Sequence, residues 1–599
     1  MIEPCRHPVR EVTRLMQNIT TRLSAVLVLA ATGLTVSEGY AATPRPALRV
    51  SVKGLPQPHK LTLLAAQGLS NRTGPNIYLD FGADNVWMQM YYVEEKRKDY
   101  QSWDPETPEA FKARYPTMNE AWIDLWEKGS HFRFKSMPWE TLLADAGKLA
   151  KGWIVYDSFE EEVALAGTLA GQRDALPVLR QDLPKMEELL PGLPVVFDAK
   201  TIPAAPGVSR KVAVHRWMIE NVLPGVNKAG LVSRVKNYGL QEHDTFVDID
   251  QAVQERWLVY DLTHYREDTT DKPEPKFSRP EEAEALKKIL GSYPPLTPVF
   301  GWGAVDENTF VRAVTDKGLT VICSGVPNNS FFNRWQASKL PLAQKHAHVA
   351  EQDVKVEDKI YLAFMVNEGD SIKNNVALQG FGGWLQPERG AVPINWGVEP
   401  AIYERYSGLM EFFYKEATPN DYFFTGAAGW GYIHPDRMNP EMARNYVAQV
   451  NKGLELTDTD YIDIWWIPHS GPVWEAFARG MKVKGLTQWF NPEQKVEYKE
   501  ADFPVIYGNH YYTLNEPEAF ARMLTEDFKA VKGPWFVIVY GANRHLTPYK
   551  AKAVMDRLPS ERFKAVLLDE FFTAARLARK EIEGKVWRPG PNAPKGVAP

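Results

Sequence analysis

The chain has 599 residues, a formal net charge of −5, 44% hydrophobic and 24% charged residues. That length implies several domains with ordinary globular cores, and an acidic balance without a basic stripe argues against a nucleic-acid partner. Aromatic residues reach 12%, with 19 Trp, and their ring planes suit sugar faces as well as cores.

The N-terminus reads as an export signal. Arg14 and Arg22 precede the apolar run Leu23 to Val36, and Gly39 and Ala41 fit cleavage after Ala41. Met16 is an alternative start. The run is short for a membrane span, and no later stretch is long enough, so the expected location is periplasmic or secreted, without stable membrane insertion after cleavage. Removal of residues 1–41 takes Cys5 and leaves Cys323 alone, so no internal disulfide is expected.

Residues 44 to 58 read as a Pro-rich entry. A helical pattern (Leu61, Leu64, Ala65, Leu69) then leads to a strand at Ile77 to Phe81. Gly152 to Ser158 gives another strand, followed by a helix and a short strand ending near Leu179. Residues 43–210 are therefore expected to form an N-terminal α/β domain. A small second domain is assigned to 211–275, with the strand "RWLVYDL", and the charged, Pro-containing linker Arg266 to Glu282 marks its boundary with the next. A small third α/β domain is assigned to 276–355, with strands "TPVFGWG" and "GLTVICSG" around a helix near Glu307 to Asp316.

Residues 356–585 are the most regular, with 586–599 as a tail. Eight short apolar runs begin at Ile360, Val392, Asp421, Tyr461, Gly485, Phe503, Trp535 and Phe563. Most are followed by helix starts with cap residues beside a proline: Asn439-Pro440, Asn515-Glu516-Pro517 and Thr547-Pro548. Alternation of strands and helices predicts a (β/α) barrel-like C-terminal domain, so the fold class is α/β, small α/β domains ahead of a barrel. Barrel sites lie at the C-terminal strand ends. Those ends read Asn367-Glu368-Gly369-Asp370, Asn395-Trp396, the glycine-rich stretch from Gly426, His469, Asn491, Asn509-His510, Asn543 with His545, and Asp569-Glu570.

The stretch "GWGYIHP", Gly429 to Pro435, resembles the motif that names the GxGYxYP family, glycoside hydrolases by name; His434 stands where the motif has its second Tyr. "QGLSNR" from Gln67, "IYLDF" from Ile77, "NEGDSIKNN" from Asn367, "NWGVEP" from Asn395 and "DEFF" from Asp569 are also similar to that family. The resemblance implies small α/β domains before a barrel-like domain, and a carbohydrate substrate.

Glycoside hydrolysis needs two facing carboxyl groups. First and last strands of a closed barrel are neighbours, so Asp370 or Glu368 is expected to face Glu570 or Asp569. Glu570, between an apolar strand and two Phe, suits the acid; Asp370 suits the ionised partner. Glu388, Glu399 and Glu404 are reserves. Trp396, Gly429, Trp430, Gly431, Tyr432, His434, Asp436, His469, Asn509 and His510 are expected to line the sugar site, the glycines by letting backbone approach the ligand and the rings by stacking. No cofactor or metal is expected. Two alternatives stand: a metal-dependent, deacetylase-like hydrolase using His434, His469, His510, His545 and Asp370, and a non-catalytic glycan-binding protein.

Overall fold

The computed structural model describes residues 44–82, 118–234, 248–262, 280–302, 307–345, 349–367, 371–379, 382–426, 428–488, 494–498, 500–507, 516–541 and 545–587. The first sheet joins β1 (Arg45–Ser51), β2 (Ile77–Asp80) and β3 (Phe132–Met137) in the order β2-β1-β3, all parallel, with α1 (Gln57–Ser70) between the first two. The stretch read as a Pro-rich entry is thus the central strand. Its pairing with β2 begins only at Leu48, so Pro46 lies where one side of β1 has no partner, a position that tolerates a missing N–H. A second parallel sheet, β5-β4-β6, contains β4 (Trp153–Tyr156), β5 (Leu176–Leu179) and β6 (Val195–Asp198). Its helix α2 (Phe159–Arg173) starts where the Ser158 hydroxyl accepts from Glu161 N at 3.3 Å.

The third sheet takes strands from the residues assigned to both the second and the third small domains. Strands β7 (Leu231–Ser233), β8 (Leu258–Tyr260), β9 (Pro298–Gly301) and β10 (Thr320–Ile322) form one parallel sheet in the order β10-β9-β7-β8. Helix α3 (Ile249–Glu255) joins β7 to β8, and α4 (Glu307–Thr315) joins β9 to β10. In sequence the charged stretch from Arg266 lies between β8 and β9, and its residues up to 279 are outside the described ones.

After helix α5 (Asn329–Arg334) the C-terminal region begins. All eight apolar runs become strands: β11 (Ile360–Val366), β12 (Ile394–Val398), β13 (Asp421–Thr425), β14 (Tyr461–Ile464), β15 (Gly485–Gln488), β17 (Val505–Tyr507), β18 (Trp535–Gly541) and β19 (Phe563–Ala565). Two short strands add to them, β16 (Gln494–Glu497) and β20 (Val586–Trp587). Helices α6 (Ser371–Val376), α7 (Pro440–Thr457) and α8 (Leu568–Leu577) follow β11, β13 and β19. The Asn439 side chain caps α7, accepting from Glu441 N and Met442 N at 3.0 and 2.9 Å, and Thr547 accepts from Lys550 N at 3.3 Å at the next expected cap. Glu516 stands at the third cap without a side-chain bond.

The sheet runs β18-β11-β12-β13-β14-β15-β17-β16-β20, with β19 also on β11. It is a curled half-barrel rather than a ring of eight: β17 continues to the antiparallel β16 and not to β18. The register of β19 decides where its following residues go. Phe563, Lys564 and Ala565 pair with Ile360, Tyr361 and Leu362, the first half of β11, whereas β12 pairs with Met365 and Val366. The chain therefore leaves β19 four residues short of the end of β11, roughly 13 Å at about 3.3 Å per residue.

Side chains alternate across the sheet. Tyr361, Ala363, Met365, Tyr422, Phe424, Tyr461, Phe536 and Ile538 share one cluster with Leu568, Phe571 and Phe572 of α8, while Ile360, Leu362, Phe364, Val366, Trp396 and Phe423 belong to the cluster on the other face. Helix α8 fills the inner face near the strand starts. Phe572 stacks on Tyr461 at 4.9 Å, and a Cβ on Gly485 would stand 2.2 Å from its ring.

Candidate functional site

The glycine-rich stretch is a seam between two sheets. Tyr432 and Val321 exchange backbone hydrogen bonds of 2.8 and 3.0 Å, so the loop after β13 adds an antiparallel rung to β10. Gly431 (φ +79°) is pressed on β10, where an added Cβ would lie 2.6 Å from Thr320 Cβ, and its N–H donates to Glu399 Oε1 at 2.5 Å. Gly429 (φ +113°) faces Val450 of α7. The rings expected to stack on sugar are buried instead. Trp430 is 8% exposed and packs on Gly453 of α7, and its backbone N–H donates to the Tyr446 hydroxyl at 2.7 Å. Tyr432 is 1% exposed, against Trp465.

His434 is buried and stacked on Trp466 at 5.1 Å, and burial lowers its pKa. The backbone N–H of His434 donates to Thr315 Oγ1 at 3.1 Å. Asp436 and Arg437 reach Arg312 and Asp316 at 3.4 and 2.9 Å, closing the seam with exposed ion pairs. The aromatic and glycine spacing that reads as a sugar platform is what a tight domain junction also requires.

Two other expected groups are redirected by strand geometry. Trp396 points to the outer face, packs on Trp384 and donates to Asp421 Oδ1 at 2.8 Å. Asp569 and Glu570 open α8 beside the starts of β11 and β14. Asp569 accepts from the Tyr461 hydroxyl at 2.7 Å and from Val349 N. Glu570 pairs with Lys564 at 2.5 Å, and the same ammonium lies 3.7 Å from Glu357, before β11. The expectation that these carboxyls sit at the C-terminal mouth fails because β19 ends so early along β11. Of the reserves, Glu399 is held by Gly431, and Glu404 pairs with Lys452 on the exposed surface at 3.3 Å. His469 is exposed and stacks on Tyr507 at 5.4 Å. Glu368, Asp370, Asn491, Asn509, His510 and Asn543 lie outside the described residues.

A polar cluster that strand-end reasoning did not pick out occupies the inner face near the end of β11. Asp463, in the middle of β14, is 1% exposed. Its Oδ2 accepts from Asn367 Nδ2 and Trp465 Nε1, both at 2.7 Å, and its Oδ1 from Thr487 Oγ1 at 2.5 Å. Burial pushes its pKa up to about 6, against hydrogen bonds from Thr487, Trp465, Asn367 and Tyr540. The available signal was a single charge between Ile462 and Ile464 in an otherwise apolar strand, which alternation turns inward. A carboxyl that titrates near neutrality inside a wall is suited to proton traffic or to holding neighbours in place.

Among the described residues, no group of three or more His, Cys, Asp or Glu is arranged to hold a metal ion, and no helix is long and apolar enough to cross a membrane.

Residues 358–576 match the family model described as the GxGYxYP putative glycoside hydrolase C-terminal domain, the family to which the motif at Gly429 pointed. That range takes in the curled sheet from β11 to β19 together with most of α8. Among solved structures, the chain is similar to one titled a putative hydrolase from Bacteroides thetaiotaomicron VPI-5482, with a TM-score of 0.68 and 16% identity over 89% of this chain and 95% of that one. The two share a fold over nearly their whole lengths. A structure titled a putative polysaccharide deacetylase from Mycobacterium smegmatis covers 42% of this chain and 100% of its own, at 11% identity and a TM-score of 0.28. No curated protein sequence matches the chain.

Proposed function

We propose that the protein is an exported glycoside hydrolase acting on an oligo- or polysaccharide at the C-terminal mouth of the curled sheet. The observation that carries this reading is the match of residues 358–576 to a glycoside hydrolase family model, since that range is the curled sheet. The chemistry needs a proton donor to the leaving oxygen and a second carboxylate that attacks the sugar or activates water. Glu368 and Asp370 are proposed for these roles, because they are the first carboxyl groups in the chain beyond β11 and its Asn367. Asp569 and Glu570 are set aside, being engaged by Tyr461 and Lys564 beside the strand starts. The sugar-binding role proposed for the glycine-rich stretch passes to other residues of the mouth, with Asn509 and His510 kept as candidates after β17.

The test is a screen of the purified mature chain against polysaccharides and aryl glycosides. Release of reducing ends, lost in Asp370→Asn or Glu368→Gln variants that still fold, supports the reading. Binding without turnover on every substrate, unchanged by both substitutions, overturns it in favour of a glycan-binding protein.

A further inference from the structure

The His434 backbone is tied to both sides of the seam. Its N–H donates to Thr315 Oγ1 at the end of α4, and two residues on, Asp436 N donates to Trp466 O past β14 at 3.1 Å. The ring is fully buried, 13° from parallel with Trp466 and 6.1 Å from the Tyr432 ring. Its nitrogens are poorly served. Nδ1 lies 3.3 Å from Asp436 Oδ1, at ion-pair distance without hydrogen-bond geometry, and neither ring nitrogen has a hydrogen-bond partner among the described residues. A protonated ring would bring two N–H donors and a full charge into this stack. The charges facing it are Asp436, which favours a proton, and Arg312 of α4 and Arg437, which oppose one. Asp436 is shared, since it also pairs with Arg312, and Arg437 pairs with Asp316. The Trp466 face favours a cation, but burial is the largest influence and lowers the pKa from its usual 6.5. The family motif has Tyr at this position, a ring that stays neutral through the same range.

We propose that His434 is an acid-sensitive latch on the seam between the middle sheet and the curled sheet: taking up a proton releases residues 431–437 from Val321 and Thr315, while both sheets stay folded. The sign follows from the buried neutral ring. A His whose folded pKa lies below its unfolded one contributes stability that is present above about 6.5 and is lost as the pH falls through the folded value. Opening the loop lets the ring reach water and take its charge, so falling pH favours the open form. The latch stands independently of any activity at the mouth.

Two measurements on the purified chain test this. Exchange of the His434 ring C2 hydrogen, followed by mass spectrometry across pH, reads the ring's own titration in the wild type. Its midpoint should lie below 6.5, and a midpoint at or above 6.5 overturns the proposal. Backbone hydrogen exchange then compares wild type with His434→Gln, which stays neutral, at about pH 7.5 and about pH 5. Relative to the variant at the same pH, residues 431–437 and 320–322 of the wild type should lose protection at the lower pH. The loss should be at least about threefold and at most about thirtyfold, the limit for a group that titrates near 6.5 once released. Strand β4, in another sheet, should show no such difference. A relative loss under about threefold, or one shared equally by β4, overturns the proposal. His434→Tyr, with the motif's own residue, takes the place of the Gln variant if that one does not fold.

Discussion

Replacing Gly431 by Ala should loosen the junction between the middle sheet and the curled sheet. At φ +79° an L-residue costs about 1–2 kcal/mol in backbone strain. The new Cβ would also stand 2.6 Å from Thr320 Cβ, so the loop must lift from β10. Lifting breaks the two hydrogen bonds between Tyr432 and Val321, each worth about 1 kcal/mol net. The sum is about 3–4 kcal/mol. For a unit of 150–250 residues that corresponds to a fall in melting temperature on the order of 10 °C, measured by scanning calorimetry on wild type and variant at matched pH. Oligosaccharide binding by the folded variant, measured by titration calorimetry below its transition, should stay at the wild-type level. A melting temperature within about 2 °C of wild type, combined with lost binding, would refute the seam and return Gly431 to a ligand-facing loop.

Trp430→Ala should cost about 3–5 kcal/mol in a denaturant titration, as expected for a large ring removed from a packed site; a near-neutral change with lost sugar affinity would contradict its burial. Asp248 gives a pH prediction. Burial first, and then the nearby Asp250 charge, raise its pKa to about 8. A carboxyl that binds its proton more tightly when folded contributes stability that is fully present below its unfolded value near 4 and is lost as pH rises through about 8. Asp248→Asn should therefore flatten the decline of stability between about pH 4 and 8, followed by urea midpoints across that range.

The strands of the C-terminal region were legible because each is a short apolar run closed by a polar or glycine end, a pattern that local sequence carries in full. Closure was not legible. Whether β19 pairs with the first or second half of β11 depends on contacts some 200 residues apart in the chain, and that register moves Glu570 from the mouth to a pairing with Lys564. The glycine-rich stretch shows a second limit. Spacing reveals that Gly429 and Gly431 need unusual backbone, but a ring that covers a sugar and a ring that covers α7 look alike in sequence. Asp463 lies inside a strand and not at its end; its partners Asn367 and Thr487 come from past β11 and from β15, and only the alternation of Ile462, Asp463 and Ile464 marks it. Gly426 was visible as a glycine at a strand end, yet its reason and that of Gly397 within β12, the passage of the Asn367 amide, exists only once four strands lie side by side.

The claim that the reactive carboxyls stand at the C-terminal mouth and not at the helix after β19 is tested most directly by comparing Asp370→Asn with Glu570→Gln on a glycoside that the wild type hydrolyses. Asp370→Asn should lower kcat by at least about 10²-fold, the usual worth of a positioned acid, base or nucleophile. Glu570→Gln should stay within about twofold of wild type, a barrier change well under 1 kcal/mol, since it loses only the pairing with Lys564. Full activity in Asp370→Asn with a large loss in Glu570→Gln would contradict the account.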